Sequence, residues 1–169
     1  MSDSVASSYL RDVHEIAQIL YRYAVAVDTQ ALELFDDCFT ADARIELQTV
    51  GVFDREGYRR LCRENLPNLD ATQHTIGNPS IEVSGNTAVS RCYFVAQHVR
   101  NALAPNPCLV IGGWYDDEVS RINGKWLITA RRGTAAWADG NPAVLGLPAV
   151  GALESGPGRA CPPWMRSTT

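Results

Sequence analysis

Asn123-Gly124 stands between two long runs rich in β-branched and aromatic residues, Leu109 to Arg121 and Lys125 to Ala136. The two-residue hairpin turn of type I′ needs positive φ at both central positions, which Asn tolerates and Gly adopts freely. The pair is the strongest short hairpin signal in the chain, and it commits the second half to antiparallel sheet. Upstream, Ile81 and Val83 lead into Ser84-Gly85-Asn86, a second hairpin-like turn. Ala88 to Arg100 then reads as another long strand, broken by Pro105-Asn106-Pro107.

The first half has a different period. From about Ser8 to Asp28, Val13, Ile16, Ile19, Leu20, Tyr23 and Val27 recur at spacings of three and four, the mark of an amphipathic helix that Ser7 or Ser8 would cap. A short helix is expected from Gln30 to Cys38, with Thr40 and Asp42 as punctuation. Ala43 to Thr49 alternates as a strand, with Ile45 and Leu47 on one face and Arg44, Glu46 and Gln48 on the other. Asp54 is placed to cap a helix reaching Asn65, and Pro67 ends that region. Helices first and strands after define an α+β class. A curved antiparallel sheet wrapped around the N-terminal helices would make a cone with one deep pocket. From Gly140 onward the composition turns to Pro, Gly and Ala. The expected organisation is therefore one domain over 1–142 and an irregular tail over 143–169, for which a lid or a subunit arm are the candidate roles.

Composition excludes several classes. With 46% hydrophobic and 20% charged residues the chain has the balance of a globular domain, not a disordered one. The net charge of -4 and the lack of a basic run argue against a nucleic-acid partner. The five cysteines are odd in number and hold no CxxC spacing, so neither a disulfide framework nor a structural zinc site is expected. Free thiols fit a reducing cytoplasm. The opening MSDSVASSYLRD lacks the basic start and apolar run of a signal peptide, and no apolar stretch approaches membrane-spanning length. A cytoplasmic protein with no membrane partner is the expectation.

Few residues carry chemistry. Of the histidines, His14 lies between charged neighbours on the first helix and reads as a surface residue. His74 sits in the polar stretch Thr72 to Pro79, read as a connection between a helix and a strand, where sites are often placed. Asp28 closes the apolar run Tyr23 to Val27 at a helix C-terminus, where its charge opposes the helix dipole. Such a carboxylate either caps the following short helix or orients a protonated histidine. Arg131-Arg132 in the last strand must point to opposite faces, and alternation alone leaves open which one is inward. Asp116-Asp117 raises the same question, with a solvated strand end as the simple answer.

In their order, Leu20 to Asp28, Phe39-Thr40-Ala41-Asp42-Ala43, Thr72-Gln73-His74, Gly112 to Glu118 and Gly124-Lys125-Trp126 with Arg131-Arg132 resemble the SnoaL-like proteins over roughly Ser8 to Pro142. Within that group the chain is similar to scytalone dehydratase, bile-acid 7α-dehydratase and hexachlorocyclohexane dehydrochlorinase. The resemblance implies an α+β cone barrel, a homotrimer or homodimer, and neither metal nor organic cofactor. It implies that Asp28 pairs with His74, that His98 is a second pocket histidine, and that Tyr23 and Arg131 are pocket donors, with Arg132 as the fallback. Positions that grip the substrate in scytalone dehydratase are here Val27, Leu47, Leu109 and Ile111, so a more apolar ligand is expected.

The expected activity is elimination of water, or a related proton shift, next to a carbonyl in a small hydrophobic substrate of polyketide, steroid or terpenoid type. His74 acts as base, Asp28 holds its tautomer, and Tyr23 and Arg131 donate to the developing oxyanion. His98 protonates the departing hydroxyl, and Phe94, Leu109, Ile111 and Trp137 form apolar walls. Two rivals remain: a polyketide cyclase or ketosteroid-isomerase-like enzyme with Asp116 or Asp117 as a carboxylate base, and a non-catalytic assembly subunit of the kind found in ring-hydroxylating dioxygenases.

Overall fold

The computed structural model describes residues 3–48 and 50–147. Its elements run α1 (Asp3–Asp28), a 3-10 turn (Leu32–Asp37), β1 (Phe39–Leu47), β2 (Gly51–Phe53), α2 (Arg55–Asn65), a second 3-10 turn (Leu66–Asn68) and β3 (Ala71–Ser84). They continue with β4 (Thr87–Val99), β5 (Cys108–Ile122), β6 (Lys125–Gly140) and a closing 3-10 turn (Pro142–Leu145). The sheet is six-stranded in the order β2-β1-β6-β5-β4-β3 and unclosed, with β2 and β3 at its edges. Every pairing is antiparallel except β1 with β6, which is parallel.

The apolar stripe of α1 is its buried face: Ile16, Ile19, Leu20, Tyr23 and Val27 are all buried, and His14 is exposed. The helix starts at Asp3, five residues before the periodic stretch, and packs chiefly on the edge strand β3. It ends where Gln30 takes a left-handed φ of 57°, with the amide and hydroxyl of Thr29 both donating to the Val25 carbonyl. Asp54 caps α2 as expected, its side chain accepting from the Gly57 amide at 2.7 Å. Asn123 and Gly124 both have positive φ, 51° and 81°, and join β5 to β6 in the turn their chemistry calls for.

Three strands are longer than periodicity suggests. β1 begins at Phe39 and takes in Thr40 and Asp42, because this segment pairs with β6 and the Ile128 amide donates to the Cys38 carbonyl. β3 begins at Ala71, so the polar stretch around His74 is strand and not connection. An edge strand with one solvated face tolerates that polarity. Its Pro79 falls at a register shift between Gly77 and Ser80, where no ladder donor is needed. β6 continues to Gly140 across an irregularity opposite Gly112 and Gly113. The core between helices and sheet is led by Ile16, Leu20, Phe35, Phe39, Ile45 and Ile128, each fully buried. No helix among the described residues is long and apolar enough to cross a membrane.

Candidate active site

Alternation along β3 turns Thr72, His74 and Ile76 inward, toward α1. The last residue of α1, Asp28, meets His74 there. One carboxylate oxygen accepts from the His74 backbone amide at 2.7 Å, and the other lies 2.7 Å from the ring Nδ1. The short helix that follows is not capped by Asp28, for its N-cap is Ala31 and no side chain bonds there. Of the two roles open to this carboxylate, the structure shows contact with the histidine. An ionised carboxylate only accepts, so Nδ1 carries the proton and Nε2 is left as the basic nitrogen. The His74 side chain is 8% exposed and that of Asp28 is 20%.

His74 opens on a cavity of about 270 Å³. Val27, Leu47, Leu61, Leu66, Phe94 and Ile111 supply its apolar walls, and Leu145 and Leu147 close one side. The polar groups lining it are Tyr23, Tyr58 and Tyr115, the two histidines 74 and 98, Gln48, Asn65 and Cys62. No Asp, Glu, Lys or Arg lines it among the described residues. Phe94 stacks on Tyr115 at 4.5 Å, and the Tyr23 hydroxyl is 2.7 Å from that of Tyr58. Burial pushes the pKa of all three tyrosines well above the usual phenol value, so they are neutral donors. Tyr23 and Asp28 lie five residues apart, about 140° around a helix, and do not share the cavity wall. Tyr23 lines it, while Asp28 reaches it through His74.

Behind the tyrosines lies a sealed ion pair. Arg131 is inward and 2% exposed, whereas Arg132 is exposed and lies 3.7 Å from Glu46. The Arg131 Nε and Nη2 donate to the two oxygens of Asp117, each at 2.7 Å. Register explains the choice, since Asp117 faces Arg131 across the β5–β6 ladder. The guanidinium lies 4.3 Å from the ring centroids of both Tyr23 and Tyr115. Burial works against the Arg131 charge, but Asp117 outweighs it and holds the pKa above its ordinary value. Arg131 is thus inward, yet it stands behind the Tyr23 ring and not among the lining residues. Asp117 is no solvated strand end, being 3% exposed, and Asp116 is engaged by Arg91 through two contacts of 2.6 Å. Neither is free to serve as the carboxylate base of the cyclase reading.

Other expected site residues divide. His98 lines the cavity and meets His74 edge-on at 5.6 Å, as diagonal neighbours on β3 and β4 should. Burial, and next the nearby His74, lower its pKa to about 4. At neutral pH this favours the uncharged ring, which offers one N–H donor and one acceptor nitrogen. Phe94 and Ile111 are wall residues; Leu109 is buried beside them but does not line the cavity. Trp137 is not a wall at all. Strict alternation from Arg131 would turn it inward, but an extra residue intervenes: Gly113 pairs with Ala135 and Gly112 with Trp137. This bulge reverses the parity, and Trp137 lies 48% exposed over Gly112 on the outer face. Tyr58, Tyr115 and Gln48 escaped the sequence reading. The one signal for Tyr58 was its i, i+4 spacing to Cys62 within an otherwise charged helix.

Residues 8–132 match the SnoaL-like domain family, and the chain belongs to it. It is 32% identical to an uncharacterized protein of Mycobacterium tuberculosis over 124 residues, 72% of this chain and 84% of that one. It is 30% identical over 146 residues to the terrestric acid biosynthesis cluster protein E of Penicillium crustosum, covering 81% of this chain and 91% of the other. Among solved structures it is similar to one from Novosphingobium aromaticivorans described provisionally as a scytalone dehydratase. There the TM-score is 0.72 at 21% identity, over 80% of this chain and 91% of that chain.

Proposed function

We propose that this chain is a cofactor-independent lyase or isomerase that removes the acidic proton next to a carbonyl in a small, neutral, hydrophobic hydroxy-carbonyl compound, with dehydration as the leading outcome. One observation carries this reading. Asp28 holds His74 at both its amide and its Nδ1, which leaves Nε2 as a base on a ring lining an apolar cavity. His74 takes the α-proton, and Asp28 stabilises the imidazolium that forms. The Tyr23 hydroxyl donates to the oxygen that gains charge. Arg131 acts from behind the Tyr23 ring, through its field and not by contact with substrate. Apolar walls exclude water and strengthen each of these interactions. The exposed Tyr93, Val95 and Trp137 on the outer sheet face support a homo-oligomer, as the family resemblance implies.

Solvent deuterium exchange into a panel of bicyclic ketones, beginning with 2-tetralone, tests the proton abstraction without knowledge of the true substrate. Mass spectrometry should find exchange accelerated by the native protein and lost in His74→Ala. Equal exchange in both would refute the reading. Loss of water from the matching β-hydroxy ketones, followed by enone absorbance, then separates dehydration from a simple proton shift.

A further inference from the structure

The Tyr23 and Tyr58 hydroxyls are 2.7 Å apart and both residues line the cavity. A phenol has one proton to donate. Two phenols joined by one hydrogen bond spend one proton on each other and keep the second. Tyr115 does not change the balance: its ring meets Tyr23 edge-on at 5.6 Å, and its hydroxyl interacts with that of Tyr23. Three hydroxyls in a row hold three protons and use two. The Cys62 thiol also interacts with the Tyr58 hydroxyl, and it brings a fourth proton along with a third link, so one donor is still left over. A buried donor without an acceptor is costly, so the spare proton belongs to whatever fills the cavity.

The setting defines that acceptor. The cavity wall holds no charged side chain among the described residues, so a carboxylate or phosphate, with its concentrated and strongly hydrated charge, would enter at a higher cost than a neutral oxygen or one whose charge is delocalised. A carbonyl oxygen enters neutral and gains charge only during reaction. The Arg131 guanidinium, 4.3 Å from the Tyr23 and Tyr115 rings, then favours that charge from behind. Tyr58 is held for this task by Phe35, on which its ring stacks at 5.4 Å and 4°.

We propose that Tyr58 is a catalytic residue that forms with Tyr23 a paired-hydroxyl donor, whose spare proton binds the carbonyl oxygen of a neutral substrate and holds it as an enolate. This rests on the proton abstraction by His74 proposed above. As His74 takes the α-proton, the C–H electrons form the carbon–carbon double bond and the carbonyl π electrons move onto oxygen, where the pair holds them. Collapse of the enolate expels the β-hydroxyl, which takes the proton back from His74 and leaves as water.

Binding of 4-nitrophenol, read from its phenolate absorbance band, tests the pair without turnover, with nitrobenzene as the control lacking the oxygen anion. The native protein is expected to bind nitrophenolate more tightly than nitrobenzene. Tyr58→Phe and Tyr23→Phe should each weaken nitrophenolate by on the order of tenfold and leave nitrobenzene unchanged. His74→Ala should retain the preference for nitrophenolate, so a failed dyad and a failed hydroxyl pair give different results. Should Tyr58→Phe also lose nitrobenzene, its cavity is damaged and Tyr23→Phe decides. Nitrophenolate bound equally by native protein and both Phe variants overturns the proposal, as does a native protein without preference for it.

Discussion

Asp28 gives both of its carboxylate oxygens to one residue, His74, at 2.7 Å to the backbone amide and 2.7 Å to Nδ1. The first contact fixes where β3 passes the end of α1, and the second fixes the ring. Asp28→Asn keeps the shape but replaces one acceptor by a donor. The ring then turns to the tautomer with its proton on Nε2, and the base is lost. Ring 15N shifts of His74 should report that change, and α-proton exchange should fall by roughly 10²- to 10⁴-fold. An unchanged tautomer with an unchanged rate would mean that Asp28 serves only to anchor the strand.

The Arg131–Asp117 pair has no solvent exposure on either side chain. Removing one partner leaves a buried charge alone, so Asp117→Asn should cost about 3–5 kcal/mol in urea unfolding. The joint change Asp117→Leu with Arg131→Met should cost clearly less than the sum of the single changes. Additive losses would show that the two do not act as a pair.

His98 makes stability depend on pH. Its pKa in the folded chain is lowered to about 4 from an ordinary 6.5. Between these values the unfolded chain binds a proton that the folded chain does not, so stability rises with pH through this window. The contribution is fully present above pH 6.5 and lost progressively as pH falls toward 4. It amounts to on the order of 3 kcal/mol. Urea unfolding at pH 7.5 and pH 4.5 should show a smaller difference for His98→Gln than for the native chain, and equal differences would disprove the assignment.

Gly112 and Gly113 should respond differently to the same methyl group. A Cβ on Gly112 would meet the Trp137 ring at 2.1 Å, and that ring is half exposed and can swing away. On Gly113 it would meet the Thr134 carbonyl oxygen at 1.9 Å, which is backbone in the middle of a ladder. Gly112→Ala should therefore cost about 1 kcal/mol and alter tryptophan fluorescence, while Gly113→Ala should cost roughly 3 kcal/mol or more. Calorimetry of the two variants distinguishes them.

Local signals carried much of the architecture. The stripe from Ile16 to Val27, the cap at Asp54 and the turn at Asn123-Gly124 each depend on a few adjacent residues, and each is found as read. The contact between Asp28 and His74 spans 46 positions. Resemblance to relatives suggested it, and no spacing could. The misreadings have local causes as well. Thr72 to Pro79 is polar because β3 is an edge strand, so composition pointed to a connection. Trp137 is not the wall residue expected of it, because one extra residue in β6 reverses the parity, and that shows only once the partner strand is known. Tyr58 was hidden among Arg55, Glu56, Arg59 and Arg60, which mark α2 as a surface helix while its apolar side reaches the cavity.

The uncharged lining of the cavity has a consequence for how the protein meets its ligand. Asp28 stands behind His74, and Arg131 with Asp117 stands behind the tyrosine rings. Mobile ions screen charges that face solvent over a distance of about 8 Å at physiological ionic strength. They reach none of these groups from within the cavity, and a neutral ligand offers them nothing to screen. Capture should proceed at nearly the same rate from dilute buffer to physiological ionic strength, driven by shape and water release and not by long-range attraction.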